Sequence, residues 1–151
     1  MMSVMRVAIS LLFTLAACGE TGRSNETVAI PASAQLGLEH VLGFAETLRL
    51  VDGLALEFTS LTRDSRCPTG VTCVWAGNAR IHVTATTAAG TAVLELNTNS
   101  RFATTASYDG FRVELRRLDP YPNAEPPPGT ISPPPPTAYK ATLFIDRVAP
   151  K

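Results

Sequence analysis

Alternation of apolar and polar residues along most of the chain after residue 54 restricts the fold more than any other feature. The clearest run covers residues 78–87, where every second side chain from Ala79 to Ala85 is apolar and those between are polar. A period of two residues is what a β-strand produces when one side is buried and the other meets water. An amphipathic helix repeats at about 3.6 residues, a spacing that these segments lack. The alternation therefore predicts an all-β domain.

The same alternation marks further strands before and after this run. It appears in residues 54–61, 91–98, 111–118 and 138–148, where Phe144 interrupts the polar face of the last segment. Residues 36–44 fit either a strand or a short helical turn, and residues 46–51 precede an Asp52-Gly53 pair that is typical of a hairpin turn. About seven strands, each apolar on one side, are best buried in two stacked antiparallel sheets. We therefore expect an antiparallel β-sandwich the size of an immunoglobulin domain, with a small β-barrel as the alternative.

Proline dominates one long segment near the end of the chain. Nine of the seventeen residues in 120–136 are proline. Proline lacks a backbone N–H and cannot donate a hydrogen bond to a neighbouring strand. Because an alternating strand follows, we expect residues 120–136 to form a long loop between the last two strands of one domain. The composition fits a stiff surface loop, and it also fits a docking surface made of extended polyproline.

The first residues are typical of an export signal. Arg6 precedes a mainly apolar stretch at residues 7–17, well short of the roughly 20 apolar residues that an α-helix needs to cross a bilayer. A short apolar segment that follows a positive charge and precedes small residues is the pattern of a secretory signal peptide. We therefore expect residues 1–17 to be removed during export.

The end of this signal carries a more specific pattern. The sequence Leu15-Ala16-Ala17-Cys18 resembles the lipobox of bacterial lipoproteins. The resemblance implies a diacylglyceryl group on the Cys18 sulfur, cleavage before that residue and acylation of the new amino terminus. Two or three acyl chains anchor a protein durably to a membrane, whereas one holds only marginally. Gly19 stands where Asp signals retention in the inner membrane, so the resemblance implies an outer-membrane lipoprotein that faces the periplasm.

The remaining chain divides into a tether and one domain. Residues 18–35 are mostly small and polar, which predicts a flexible tether, and residues 36–151 are expected to form a single β-sandwich domain. Basic and acidic residues number 13 each, so the formal net charge is zero. Nucleic-acid binding depends on clustered positive charge, and we therefore expect no nucleic-acid partner. The expected membrane contact is made by the acyl chains on Cys18.

Two cysteines remain once Cys18 is assigned to the lipid anchor. Cys67 and Cys73 lie close together in the sequence, and an exported protein meets an oxidising compartment, so we expect a structural disulfide. A zinc site needs about four ligands, and only His40 and His82 could join the two cysteines. The spacing also differs from that of a Cys-x-x-Cys redox pair. We expect no metal and no other cofactor.

The segment around these cysteines carries a second resemblance. Residues 64–77 read DSRCPTGVTCVWAG and are similar to a signature of small uncharacterised bacterial lipoproteins; a looser similarity covers most of residues 46–148. The resemblance implies location and fold but no activity. Two hypotheses follow for this segment. In one, Asp64 and Arg66 pair and Trp75 covers the disulfide, which makes a folded corner; in the other, Asp64, Arg66 and Trp75 form a binding loop.

Catalytic patterns are sparse. Ser65 lacks the Gly-x-Ser-x-Gly context of a hydrolase nucleophile, and no pair of acids has a spacing suited to acid–base catalysis. The leading hypothesis is a lipid-anchored, non-catalytic envelope β-sandwich that serves as a binding or structural module for an unidentified envelope protein or small ligand. One alternative is a peptidase inhibitor that presents the Cys67–Cys73 loop and depends on Val71 and Thr72. A small hydrolase is a further alternative.

Overall fold

A computed structural model describes residues 34–126, 128, 129 and 133–148. The expected signal peptide at residues 1–17, the lipid anchor at Cys18 and the tether as far as residue 33 lie outside the described residues. Among the residues that are described, none belongs to a helix long and apolar enough to cross a membrane.

The domain is an all-β sandwich of two four-stranded antiparallel sheets, which confirms the predicted fold class. The first sheet contains, in spatial order, β1 (Leu38–Gly43), β8 (Lys140–Arg147), β7 (Phe111–Asp119) and β6 (Thr105–Tyr108). The second contains β2 (Thr47–Arg49), β3 (Ala55–Asp64), β4 (Ala79–Thr87) and β5 (Gly90–Asn97). One short 3-10 helix, Pro136–Ala138, precedes β8.

The core lies between the two sheets and follows from the alternation. In β4, Ala79, Ile81, Val83 and Ala85 are all 0 % exposed, and the residues between them face outward. Phe58 of β3 packs at the centre, where its ring meets that of Phe44 at 5.4 Å in an edge-to-face arrangement. Such burial of one face of each strand is the main stabilising term for a sandwich of this size.

The structure differs from the sequence prediction in its strand count and in two boundaries. The eighth strand, β6, was not predicted, because its four residues TASY are too few to establish an alternating pattern, although Ala106 and Tyr108 pack against the core. Residues 36–44 form a strand, β1, rather than a helical turn. Strand β3 continues to Asp64 through two register shifts, between Phe58 and Ser60 and between Leu61 and Arg63. These irregularities break the alternation beyond Leu61 and explain why the pattern ended there.

The domain begins before the predicted end of the tether. Ala34 is 8 % exposed, its N–H donates to the carbonyl of Arg49 at 3.0 Å, and its own carbonyl accepts from the Val51 N–H at 3.2 Å. The chain therefore joins the sandwich beside the turn between β2 and β3, two residues earlier than the boundary at residue 36.

The sandwich has two distinct ends. At the entry end, Ala34 lies beside the β2–β3 turn, Arg147 pairs with Asp52 at 3.8 Å, and the N–H of Val148 donates to the carbonyl of Gly110. At the opposite end, which we call the loop end, three long connections meet: residues 65–78, 98–104 and 120–139. Strand β3 runs from the entry end to the loop end, and its ten residues span about 30 Å at roughly 3.3 Å per residue.

Candidate functional site

The disulfide loop, residues 65–78, leaves β3 and returns into β4 at the loop end. Cys67 and Cys73 form a disulfide with their Cα atoms 5.9 Å apart, which confirms the predicted pair. The Cys67 N–H donates to the carbonyl of Ala76 at 3.0 Å, and the Ser65 N–H donates to the carbonyl of Asn78 at 2.8 Å. The two arms of the loop are therefore joined at three levels, by hydrogen bonds between residues 65 and 78 and between residues 67 and 76, and by the disulfide.

Arg66 lies inside the loop end, with 6 % of its surface exposed. Its Nε donates to Oδ1 of Asp64 at 2.9 Å, and its Nη2 donates to Oδ2 at 2.7 Å. The same guanidinium donates to the carbonyls of Leu118 at 2.5 Å and Pro120 at 2.8 Å, and it lies 4.8 Å from the ring centre of Tyr121. One side chain thus joins the disulfide loop to the start of the proline-rich loop.

Asp64 and Tyr139 complete this buried cluster. The Tyr139 hydroxyl donates to Oδ2 of Asp64 at 3.2 Å. Burial raises the pKa of the Asp64 carboxyl, but the hydrogen bonds and positive charge of Arg66 outweigh burial and hold the pKa below its ordinary value. Burial, followed by the negative charge of Asp64, raises the pKa of the Tyr139 hydroxyl. Asp64 is therefore ionised and Tyr139 neutral at pH 7, and the pair acts as an internal cross-link.

Asparagine side chains fasten the disulfide loop to the β5–β6 loop, residues 98–104. Asn78 Nδ2 donates to Oδ1 of Asn97 at 2.8 Å, and Asn97 is only 1 % exposed. The Asn99 N–H donates to Oδ1 of Asn78, and Asn99 Nδ2 donates to the carbonyl of Gly77 at 2.8 Å. Because these amides use both donors and acceptors between the two loops, they fix the position of one loop on the other.

Gly77 is required where the disulfide loop passes closest to its own start. Its φ is +70°, in the left-handed region that favours glycine. A Cβ atom at this position would also overlap the carbonyl group of Ser65. Any side chain here would therefore separate the two arms of the disulfide loop.

The tip of this fixed loop is apolar and exposed. Val74 is 89 % exposed, Trp75 is 72 % exposed, and Phe102 of the neighbouring loop is 51 % exposed. Trp75 therefore presents its ring to solvent, rather than covering the disulfide as in the folded-corner hypothesis. Large exposed apolar side chains that lie together are uncommon on a monomer surface and are typical of interaction sites. Tryptophan is also among the residues that most often dominate binding energy.

A groove runs beside this tip, and we call it the loop-end groove. Its first part has a volume of about 490 Å³, with the rings of Trp75 and Phe102 in its walls and Asn78, Asn99 and Arg101 among its other lining residues. Its second part, about 280 Å³, shares Ser65, Asn78 and Phe102 with the first and adds the side chains Thr62, Arg63 and Arg80.

A separate cleft lies between the proline-rich loop and the buried cluster. It has a volume of about 590 Å³, and most of its lining consists of proline rings with Tyr121 and Tyr139. Asp64 and Arg66 lie at its base, where each already bonds to the other. Among the described residues, every buried side-chain nitrogen and oxygen has a hydrogen-bond partner. The cleft therefore offers apolar surface rather than unpaired polar groups.

A serine, a histidine and a glutamate align on the outer face of the second sheet. Ser60 Oγ lies 2.7 Å from Nδ1 of His82, and His82 Nε2 lies 3.8 Å from Oε2 of Glu95. The order of the groups resembles a hydrolase triad, but 3.8 Å is longer than a hydrogen bond, so the relay is incomplete. Within the described part of the chain, no three His, Cys, Asp or Glu side chains gather as metal ligands.

The three residues predicted as a binding loop are divided by the structure. Asp64 and Arg66 face inward and Trp75 faces outward, so they do not form one surface. Sequence reasoning missed Arg63, Arg101 and Phe102, which line the groove. The only sequence signal for Arg101 and Phe102 is that they form an Arg-Phe pair in the mostly polar stretch TNSRFATT.

Comparison with known proteins adds no identity. The chain matches no family model, no curated protein and no solved structure.

Proposed function

We propose that this protein is a lipid-anchored, non-catalytic module of the bacterial cell envelope that binds a partner through its loop end. The observation that carries the proposal is the 72 % exposure of Trp75 on a loop fixed by a disulfide and by hydrogen bonds to its neighbour. An apolar side chain held in place before binding loses little conformational freedom when a partner covers it. The combination of exposure and fixation therefore favours recognition over a purely structural role.

The position at which the described chain enters the domain supports the assignment of the loop end as the binding surface. The described chain enters the sandwich at Ala34, at the end opposite Trp75. If acyl chains on Cys18 hold the amino terminus at the membrane, the loop end is the part of the domain most distant from the attachment point. Trp75 is then placed to meet a partner in the periplasm rather than the lipid that anchors the protein.

The anchor can be tested by labelling cells with palmitate. We expect label in the wild-type protein and none in the Cys18→Ser variant, because the thioether needs this sulfur. The resemblance to lipoproteins also implies that Gly19→Asp moves the protein from the outer to the inner membrane in a density gradient. Label in the Cys18→Ser protein would refute the lipid anchor, and an unchanged Gly19→Asp distribution would refute the outer-membrane assignment.

Binding can be tested with the mature lipidated protein in detergent micelles and the detergent-insoluble residue of cell envelopes. We expect saturable co-sedimentation that weakens more than about tenfold in Trp75→Ser, since truncation of a binding hot spot costs about 2 kcal/mol or more. Val93→Ser is the matched control, because Val93 is 65 % exposed on β5 and lies outside the loop-end groove. Equal loss in both variants, or no loss in Trp75→Ser, would contradict the proposal.

A peptidase inhibitor is the second candidate. Val71 is 52 % exposed within the loop closed by Cys67 and Cys73, and a closed loop presents its backbone to a peptidase with little ordering cost. This candidate predicts inhibition of an envelope or host peptidase that is lost when Val71 and Thr72 are replaced. A broad peptidase panel that shows no inhibition would exclude it.

A further inference from the structure

We infer that the loop-end groove binds an acidic saccharide, a sugar that carries a carboxylate or phosphate group. The inference rests on the proposed function, because it names the ligand of the same surface. Three observations support it: the charges in the groove, its aromatic walls and its neutral polar groups.

Two arginines that line the groove face each other across neighbouring strands. Arg63 of β3 is the register partner of Arg80 of β4, and both line the second part of the groove. Like charges directly opposite in a sheet are destabilising unless something neutralises them. Arg80 has Glu95 at 3.4 Å, whereas Arg63 forms no ion pair among the described residues.

A third arginine extends this charge into the first part of the groove. Arg101 lines that part and likewise has no ion pair within residues 34–126, 128, 129 and 133–148. The described lining of both parts includes no aspartate or glutamate. A groove lined by two arginines that form no ion pair among the described residues, beside a third that pairs with Glu95, carries net positive charge and complements an anion.

The aromatic walls define the rest of the ligand. Trp75 and Phe102 both line the first part, and both are more than half exposed. The C–H-rich face of a sugar ring packs well against the negative face of an aromatic ring. A bare phosphate or carboxylate needs neither these rings nor a space of about 490 Å³.

The remaining lining suits hydroxyl groups. Ser65, Asn78, Asn99 and Ser100 place neutral donors and acceptors around the rings. The groove is built from loops and strand ends, so an extended acidic peptide would gain few of the backbone hydrogen bonds that strand addition provides. Charge, rings and neutral polar groups together favour an acidic sugar over an acidic peptide.

Trp75 is the only tryptophan in the sequence, so its fluorescence reports on this groove directly. The probes are a tetrasaccharide of alternating glucuronate and N-acetylglucosamine, its carboxyl-reduced form, glucose 6-phosphate and oligoglutamate. With the mature lipidated protein in micelles, we expect a saturable change in emission with the glucuronate or phosphate sugar. Binding should be at least about tenfold tighter than with the carboxyl-reduced form, because charge-assisted hydrogen bonds are lost there.

Single substitutions distinguish binding in the groove from binding elsewhere on the surface. Arg63→Gln and Arg101→Gln should each weaken binding about tenfold, with unchanged urea midpoints. Arg49→Gln is the matched control, because Arg49 is exposed on β2, has no ion pair among the described residues and does not line the groove. Weaker binding in the two groove variants and unchanged binding in Arg49→Gln would support recognition of the anion by the groove.

Several outcomes overturn the inference. Equal binding of the acidic and carboxyl-reduced sugars shows that charge is not recognised, and equal or tighter binding of oligoglutamate assigns the groove to an acidic peptide. If no sugar binds while retention on cell envelopes still depends on Trp75, the ligand class is wrong and the binding module stands. If neither sugar binding nor Trp75-dependent retention is found, both proposals fail.

Discussion

The guanidinium of Arg66 and the carboxylate of Asp64 form a two-pronged ion pair, with side chains only 5 % and 9 % exposed. Arg66 also donates to two carbonyls at the start of the proline-rich loop. A charged pair this deep is tolerable only because its hydrogen-bonding groups are matched. The buried ion pair therefore joins the disulfide loop to the proline-rich loop, and the disulfide closes the disulfide loop on itself.

Replacement of Arg66 by methionine should destabilise the domain strongly. The variant leaves Asp64 buried without its partner and leaves the carbonyls of Leu118 and Pro120 without a donor, a combination that costs about 3–5 kcal/mol. The free energy of unfolding in urea, followed by circular dichroism, measures the loss. Arg63→Met is the control, since Arg63 is exposed and its replacement should change stability by less than about 0.5 kcal/mol. Similar values for both variants would contradict the buried cross-link.

Stability should fall in acid because of Asp64. Its folded-state pKa lies below the unfolded value of about 3.9, so the ionised form stabilises the fold above that value and the benefit disappears as pH falls through the folded-state pKa. Urea unfolding from pH 7 to pH 2 should show this loss in the wild type. Asp64→Asn should start less stable and lose less over the same range. Parallel curves for the two proteins would rule out Asp64 as the source.

Tyr139 should make the opposite contribution in alkali. Its folded-state pKa is raised, so the neutral hydroxyl stabilises the fold below the unfolded value of about 10, and the benefit is lost as pH rises through the folded-state pKa. Tyr139→Phe removes the hydrogen bond to Asp64 and should cost about 1 kcal/mol at pH 7. The same variant should be less sensitive than the wild type between pH 9 and pH 11. An unchanged alkaline profile would argue against this role.

Gly77→Ala should be far more costly than alanine at another glycine with positive φ. At Gly77 the added methyl overlaps the carbonyl of Ser65, so the backbone must move in addition to the roughly 1–2 kcal/mol that a left-handed alanine costs. Gly53→Ala is the control, because φ is +84° there and the added Cβ has nothing within 4 Å. Unfolding in urea compares the two variants. Equal losses would mean that the two arms of the disulfide loop can separate freely.

Removal of the disulfide should have a moderate effect on stability. Cys67 and Cys73 are six residues apart, and the entropy of closing so short a loop corresponds to about 2 kcal/mol. The Cys67→Ser/Cys73→Ser double variant should unfold at lower urea by this amount, and it should also weaken the Trp75-dependent retention on envelopes. Full retention in the double variant would show that the hydrogen bonds of the loop alone fix its tip.

The alternation of apolar residues was sufficient to predict most of the sandwich. In β4 each side chain has the burial that its position in the pattern implies, because one face of the strand packs on the opposite sheet. In β7 the same holds from Phe111 to Leu115, and the register shift between Leu115 and Arg117 then buries Leu118 out of step with the pattern. Strand β6 was not predicted because TASY has only four residues, too few to show a pattern, and it is held mainly by pairing with β7. Which strand pairs with β6 depends on residues elsewhere in the chain, so the local sequence pattern does not predict this pairing.

The candidate site was less predictable than the fold. The disulfide could be expected from two nearby cysteines in a chain predicted to be exported, and the Asp64–Arg66 contact from their two-residue spacing. The opposition of Arg63 and Arg80 depends on a register shift after Leu61, and a shift of one residue reverses which side chains share a face. The position of Phe102 beside Trp75 likewise arises only from the asparagine bonds between two loops.

The first and last described residues, Ala34 and Val148, both lie at the entry end, and this placement has a mechanical consequence. Strands β1 and β8 are antiparallel neighbours, and Leu38, near the start of the described chain, lies opposite Ile145, near its end. A force that pulls these two ends apart opens the ladder one residue pair at a time, instead of shearing all six pairs together. A load applied between Ala34 and the loop end would instead act along the strands, where many hydrogen bonds resist it at once. Under the proposed function, tension between a lipid anchor and a partner bound at the loop end would take this second direction.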